Sequence, residues 1–419
     1  MRVEGRVRVP GDKSISHRAL MLAALAEGTS RIRDILPSAD VHSTAGVLRA
    51  LGVQVPPLAA EMRVEGVGLD GLRAPGDSLD CGNSGTTTRL MAGIAAASPF
   101  ESRFIGDASL SRRPMRRVAR PLEEMGARVT LERGDGLPML VRGGPLRPMD
   151  YATETASAQI KSAILLAGIA GRVPVTVREP AVSRDHTERM LGALGAVVET
   201  RGTTVRLEPV KRLAPLDVRV PADPSSAAFL AALAALASEG EIELPDVCLN
   251  PTRTGFFRAL RRMGATLSIE STGREGGEEV GTVRIRPSAL EGIELPSDEV
   301  PSMIDEIPLL ACVAARARGT TVISGAAELR VKESDRIATV VANLRAIGVE
   351  AEERPDGMAI TGSDHPLRGE IRTHGDHRIA MAFGVLGALD GAAITIDDPA
   401  CVAVSYPGFW DDLCRVTSR

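Results

Sequence analysis

The 419-residue chain is 44% apolar and 25% charged, the balance of a globular protein with material for two or three cores of roughly 150 residues each. Its 50 basic and 54 acidic residues leave a net charge of −4, and only ten residues are aromatic. That argues against a non-specific nucleic-acid binder and against a base-stacking surface. Four of the basic residues are lysines (Lys13, Lys161, Lys211 and Lys332) and the other 46 are arginines, so each lysine marks a place where a compact point charge has been kept. Five widely separated cysteines without a C-x-x-C argue against a disulfide framework or a zinc ribbon. The opening MRVEGRVRVP alternates like a strand and lacks the apolar core of a secretory leader. No apolar run approaches the ~20 residues that span a bilayer, so the expected location is the cytoplasm, away from membranes.

Along the chain one short phrase returns: an apolar residue, two variable residues, Leu, Met or Ile, then Gly and Ala or Val. It occurs at Leu48–Val53, Leu122–Ala127, Leu191–Ala196, Leu260–Ala265 and Leu344–Val349, with its glycines 74, 69, 69 and 84 residues apart. Phe409–Val416 stands where a clipped sixth copy would fall. Helical spacing before the glycine predicts a helix closed by a left-handed residue, and the alternating runs after it predict a strand. Helix and strand alternating in this way indicate an α/β architecture. A coarser echo pairs Val9-Pro10-Gly11-Asp12-Lys13-Ser14 with Val220-Pro221-Ala222-Asp223-Pro224-Ser225, each ahead of a helix. It predicts two domains of three units, with the first strand belonging to the C-terminal half.

Several phrases carry chemistry. Gly11–Arg18 is a tight turn before a helix, with Lys13, Ser14 and Arg18 beside free backbone N–H groups that favour an anion. Asp80–Arg89 is glycine-rich but lacks the G-K-[ST] of a nucleotide loop. Gly106–Arg117 puts four arginines into six residues, which suits bidentate binding of carboxylate or phosphate. Glu154–Ser162 opens a helix with hydroxyl, amide and ammonium groups. In the second half, Asp305 and Glu306 precede an apolar helix, Arg330–Arg336 concentrates charge, and Asp376-His377-Arg378 heads another apolar helix. His374 and His377 have no third metal ligand near them in sequence. A helix start bearing anion-binding groups thus recurs in both halves and points to a highly anionic small substrate held between two domains.

Together and in this order, GDKSISHR, GNSGTTTRL, GDASLSRRPM, ASAQIKSA, PSMIDEIP, RVKESDR and DHRIAM resemble the 5-enolpyruvylshikimate-3-phosphate synthase family, from Val9 to Pro407. The resemblance implies a two-domain inside-out α/β barrel, each domain made of three βαβαββ units, with 12–220 as the central domain and 1–11 plus 221–419 as the second. It implies transfer of the enolpyruvyl group of phosphoenolpyruvate to the 5-hydroxyl of shikimate 3-phosphate, with release of phosphate. No metal or organic cofactor and no nucleic acid is implied, and a monomer is expected. Matched residue by residue, Lys13, Ser14, Arg18, Ser157, Ala158, Gln159, Arg178, Asp305 and Lys332 fall on the shikimate 3-phosphate side. Lys13, Asn83, Gly85, Arg113, Gln159, Glu333, Arg336 and Arg378 fall on the phosphoenolpyruvate side.

Adding a hydroxyl to an enol carbon needs one group to take a proton and another to give one. The resemblance assigns these to Asp305 and to Glu333, with Lys13 the other candidate donor. Val404 stands where part of the family has a lysine, and Glu328 where it has an asparagine. Gly85 leaves room that a methyl would fill, so sensitivity to the phosphoenolpyruvate-like inhibitor glyphosate is expected. ASAQIKSAILLAG and NPTRTG look more like the bacterial class with inhibitor-tolerant members. The nearest alternative is the enolpyruvyl transferase acting on UDP-N-acetylglucosamine, which generally has a reactive cysteine where this chain has Ala108. A six-repeat ring encircling DNA is the alternative from another class, and the net charge opposes it.

Overall fold

The repeated phrase turns out to be a helix terminator with two parts. Gly52, Gly126, Gly195, Gly264 and Gly348 all have φ between 85° and 115°, the left-handed region that glycine enters without steric cost. In each copy the N–H of the last residue returns to the carbonyl of the first: Val53 to Leu48, Ala127 to Leu122, Ala196 to Leu191, Ala265 to Leu260 and Val349 to Leu344, at 2.9–3.0 Å. The same paired side chains are buried, which adds the apolar contact typical of this C-cap. Four copies run directly into a strand (128–131, 198–201, 266–275 and 350–354). After Gly52 the chain instead makes one isolated bridge, Gln54 to Glu65.

The computed structural model describes residues 1–418. Its helices are α1 (Lys13–Leu25), α2 (Ala39–Ala50), α3 (Gly85–Ala95), α4 (Arg116–Met125), α5 (Ala158–Gly171), α6 (His186–Ala193), α7 (Pro224–Leu236), α8 (Gly255–Arg262), α9 (Ile307–Ala314), α10 (Arg336–Ala346), α11 (His377–Gly387) and α12 (Phe409–Val416). They alternate in character. The odd-numbered helices are buried on nearly every side, α9 along its whole length. The even-numbered ones bury one face. A helix apolar all round is satisfied only inside a core. No helix among the described residues is long and apolar enough to cross a membrane.

The chain divides into two compact units. One, here the central unit, comprises 11–220 and 274–278; the other, the terminal unit, comprises 1–10, 221–273 and the chain from Glu279 onward. Each unit holds three sheets, and every sheet contains one parallel pair. Four of these pairs are joined through a buried helix: 79–80 with 101–105, 149–152 with 175–178, 294–295 with 320–323, and 368–371 with 393–396. The other two are exchanged. Strand 217–219, just ahead of α7, pairs with 27–33 after α1; strand 2–6, ahead of α1, pairs with 239–248 after α7. Each unit's first sheet is thus completed by a strand from the far side of a chain crossing.

The buried helices pack through small residues. In the central unit a Cβ added at Gly93 of α3 would lie 2.2 Å from the Ala163 carbonyl oxygen of α5. Backbone cannot yield there, so Gly93→Ala is expected to destabilise the fold by about 1–3 kcal/mol through overpacking. Gly46→Ala, where a Cβ meets nothing within 4 Å on exposed α2, is expected to stabilise by about 0.5–1 kcal/mol. Urea unfolding of the two variants checks both signs.

Candidate active site

In the central unit the site grows from the first turns of α1, α3 and α5. Asp12 caps α1 by accepting from the Ile15 amide at 2.9 Å. Lys13 follows, its ammonium 3.0 Å from Asp40 in the first turn of α2. The Ser14 carbonyl accepts from Arg18, which is almost fully buried and also donates to Thr187 and Ser162, each at 2.7 Å. His17 is held well below the usual imidazole pKa by burial, with Lys13 and Arg18 adding to the effect. It is therefore neutral, and it joins a buried chain of hydroxyls through Thr44 to Thr87.

α3 is capped by the Ser84 hydroxyl, which accepts from the Thr87 amide. Ahead of it, Asn83 accepts from Arg113 and donates to Asp107, both at 2.5 Å. Gly85 opens the helix in narrow space: a methyl there would lie 2.7 Å from a terminal nitrogen of Arg89 and 3.4 Å from one of Arg113. Arg89 donates to Gln159 at 2.7 Å, and Gln159 donates to Thr86 at 3.1 Å. These bonds tie the first turns of α3 and α5 together and bring Asn83, Gly85, Arg113 and Gln159 to one place. Ser157 is the N-cap residue of α5 but its hydroxyl makes no capping bond, and Ala158 begins the helix. Arg178 stands apart, its guanidinium forked onto Asp150 with both side chains about half exposed.

The terminal unit assembles its part around one guanidinium. Arg336, 1% exposed, reaches Asp376 at 2.8 Å, Glu333 at 2.7 Å and Asp305 at 3.2 Å. Burial alone would favour a neutral group, but the surrounding carboxylates raise its pKa above the ordinary arginine value. Asp376 also caps α11 through the Arg378 amide and accepts from the Ser334 hydroxyl. Arg378 contacts Glu306 at 3.4 Å. Lys332 lies 3.8 Å from Glu328. Burial lowers its pKa, outweighing the attraction of Asp305 and Glu328. Glu328 therefore acts here as a partner of Lys332, while Val404 ends a 3-10 turn, Pro399–Val404.

Five positioning groups have partners that the sequence does not announce. Asp40 lies outside the phrases that carry chemistry, while Arg89, Asp107, Glu306 and Asp376 stand inside them. Only the folded chain shows what each one holds. Cys81, inside the glycine-rich phrase, has its thiol pushed up to about 12 by burial, so it is no nucleophile at neutral pH. Among the described residues no group of three or more His, Cys, Asp or Glu side chains is arranged to hold a metal ion.

Helix N-termini bearing arginine, lysine and paired carboxylates define an enzyme acting on small polyanions with proton transfer. Comparison with known proteins makes this particular. The chain belongs to the family described as EPSP synthase (3-phosphoshikimate 1-carboxyvinyltransferase), whose model matches residues 1–413. A relative named 3-phosphoshikimate 1-carboxyvinyltransferase from Sulfurihydrogenibium sp. (strain YO3AOP1) is 49% identical over 99% of this chain and 98% of its own length. Another of that name, from Halorhodospira halophila, is 50% identical over 99% and 94%. A solved EPSP synthase structure from Acinetobacter baumannii superposes with a TM-score of 0.87 at 42% identity, covering 99% of this chain and 96% of that one. The activity is accordingly enolpyruvyl transfer in the shikimate pathway.

Arg336→Met would leave Asp305, Glu333 and Asp376 without their shared cation. Breaking a buried ion pair from one side costs about 3–5 kcal/mol, and a stability loss of that order is expected in urea unfolding at neutral pH.

Proposed function

We propose that the chain joins C2 of phosphoenolpyruvate to the 5-hydroxyl oxygen of shikimate 3-phosphate and then expels phosphate, by addition followed by elimination. The observation that supports this most is the attachment of Asp305 and Glu333 to one buried guanidinium, with Lys332 close by. Addition needs a base for the hydroxyl proton and an acid for the methylene carbon. In this reading Asp305 takes the first proton and Glu333 gives the second, while Arg336 holds the two carboxyls in fixed positions. Elimination reverses the proton traffic on the new methyl group: it loses a proton, the double bond re-forms, and the C–O bond to phosphate breaks.

The remaining groups neutralise charge and align reactants. Ser14, Arg18, Ser157, Ala158 and Gln159 take the shikimate ester, joined by Arg178 when it leaves Asp150. Lys13, Asn83, Gly85, Arg113, Gln159, Arg336 and Arg378 take phosphoenolpyruvate. The narrow space at Gly85, bounded by Arg89 and Arg113, is where glyphosate would lie.

Purified protein given phosphoenolpyruvate and shikimate 3-phosphate is expected to release phosphate, and none with UDP-N-acetylglucosamine as acceptor; the opposite pattern would refute the reading. Asp305→Ala should lose turnover by at least a hundredfold while keeping shikimate 3-phosphate binding, measured by calorimetry; near-normal turnover would remove Asp305 from its role. The lowered pKa of Lys332 means that its positive charge is lost at a lower pH than for free lysine. kcat/KM, which reports the free enzyme, should therefore fall on the alkaline side as that proton leaves. Lys332→Arg, charged throughout, should remove this fall.

A further inference from the structure

Behind the first turn of α5 lies a buried charge cluster that the reaction does not use. Glu179, at the end of strand 175–178, accepts from the Ser157 backbone amide at 3.1 Å through one carboxylate oxygen. Its other oxygen accepts from the Ser183 hydroxyl at 2.9 Å and from the Lys161 ammonium at 2.7 Å. Lys161 also lies 2.9 Å from Glu188, and the three side chains are 2–5% exposed. Glu188 follows Thr187, which holds Arg18 and Ser162 at 2.7 Å, and His186, whose ring meets Glu278 at 2.6 Å. The first turn of α6 thus anchors α1, α5 and the 274–278 segment through three successive residues.

This cluster is a poor way to stabilise a core. Two carboxylates face one ammonium out of water, where well-packed apolar residues of like volume are often as stable or more so. Burial raises the Glu188 pKa despite Lys161. Lys161 is raised as well, because Glu188 and Glu179 outweigh its own burial. What the geometry does supply is direction. One Glu179 oxygen fixes the Ser157 amide, and the other is fixed by Lys161, itself held by Glu188.

We infer that Lys161, Glu179 and Glu188 are positioning residues that set the orientation of Ser157 at the start of α5, and through it the affinity for the phosphate of the shikimate ester. This rests on the reading that the turn binds that phosphate. In steady-state kinetics Glu179→Ala should raise KM for shikimate 3-phosphate at least tenfold while kcat and KM for phosphoenolpyruvate stay within about threefold. Glu179→Gln, whose carbonyl still accepts from the Ser157 amide, should recover much of the loss. A general loosening would move all three parameters and the melting temperature together, and the glutamine would not restore them; that result overturns the inference. Lys161 keeps Glu188 as partner in Glu179→Ala, which favours folding. If that variant does not fold, the double variant Lys161→Met/Glu188→Gln, which removes one charge of each sign and leaves Glu179 without its ammonium, carries the same expectation. Ser157→Ala separates the two ideas. If it weakens shikimate 3-phosphate binding and Glu179→Ala does not, the positioning role fails and the turn's role stands. If neither does, the reading of the turn fails and the inference with it.

Discussion

The constraint on which the structure depends is that a helix apolar on every side must be buried on every side. α1, α3 and α5 of the central unit and α7, α9 and α11 of the terminal unit obey it. Their side chains can present no chemistry along most of their length, and close approach demands small residues such as Gly93. What remains polar is the helix start, where four N–H groups lack partners inside the helix. The motif residues that bear charge or hydroxyl groups lie at these starts or on segments packed beside them. The division between core and chemistry thus follows from composition: apolar along the axis, polar at one end.

Charge at these ends is managed by pairing. Lys13 has Asp40, Arg113 has Asn83, Arg378 has Glu306, and Arg336 has three carboxylates. Each pair keeps a desolvated cation tolerable before substrate arrives. Each also sets an exchange: a phosphate or carboxylate that takes the cation must displace or share its protein partner. The Arg178–Asp150 pair lies at the surface, where solvent weakens it. Arg336 and Asp376 pair with both side chains buried, where solvent does not weaken the contact.

The sequence is legible where one residue type answers one local demand. The five phrase glycines sit in the left-handed region because only glycine enters it without cost, and the flanking apolar pair is spaced to close the cap. Asp12 and Asp223, aligned by the coarse echo, cap α1 and α7. Legibility ends where the partner is distant in sequence. After Gly52 the strand shrinks to a single bridge from Gln54 to Glu65, although strand 61–67 pairs with 27–33 along one edge only. Nothing near Glu278 announces His186, 92 residues away. The Arg178 guanidinium reaches Asp150 because the two residues stand on either side of the Tyr151–Val177 pair of parallel strands, on one face of the sheet, a register that exists only after folding.

The choice between lysine and arginine carries the same logic further. Arg336 contacts three carboxylates at once, which needs a planar fork with several donors. An ammonium in that position would bind fewer of them. Lys161 must instead sit between two carboxylates in a space with almost no water, where a compact charge on a slim stem fits. Burial lowers the Lys332 pKa, and a guanidinium would not titrate in the same range. In a chain with 46 arginines and four lysines, three of those lysines, Lys13, Lys161 and Lys332, face carboxylates. Only Lys211 is exposed. Substituting arginine at Lys161 or Lys332 would preserve charge and still change the geometry of the first position and the titration of the second.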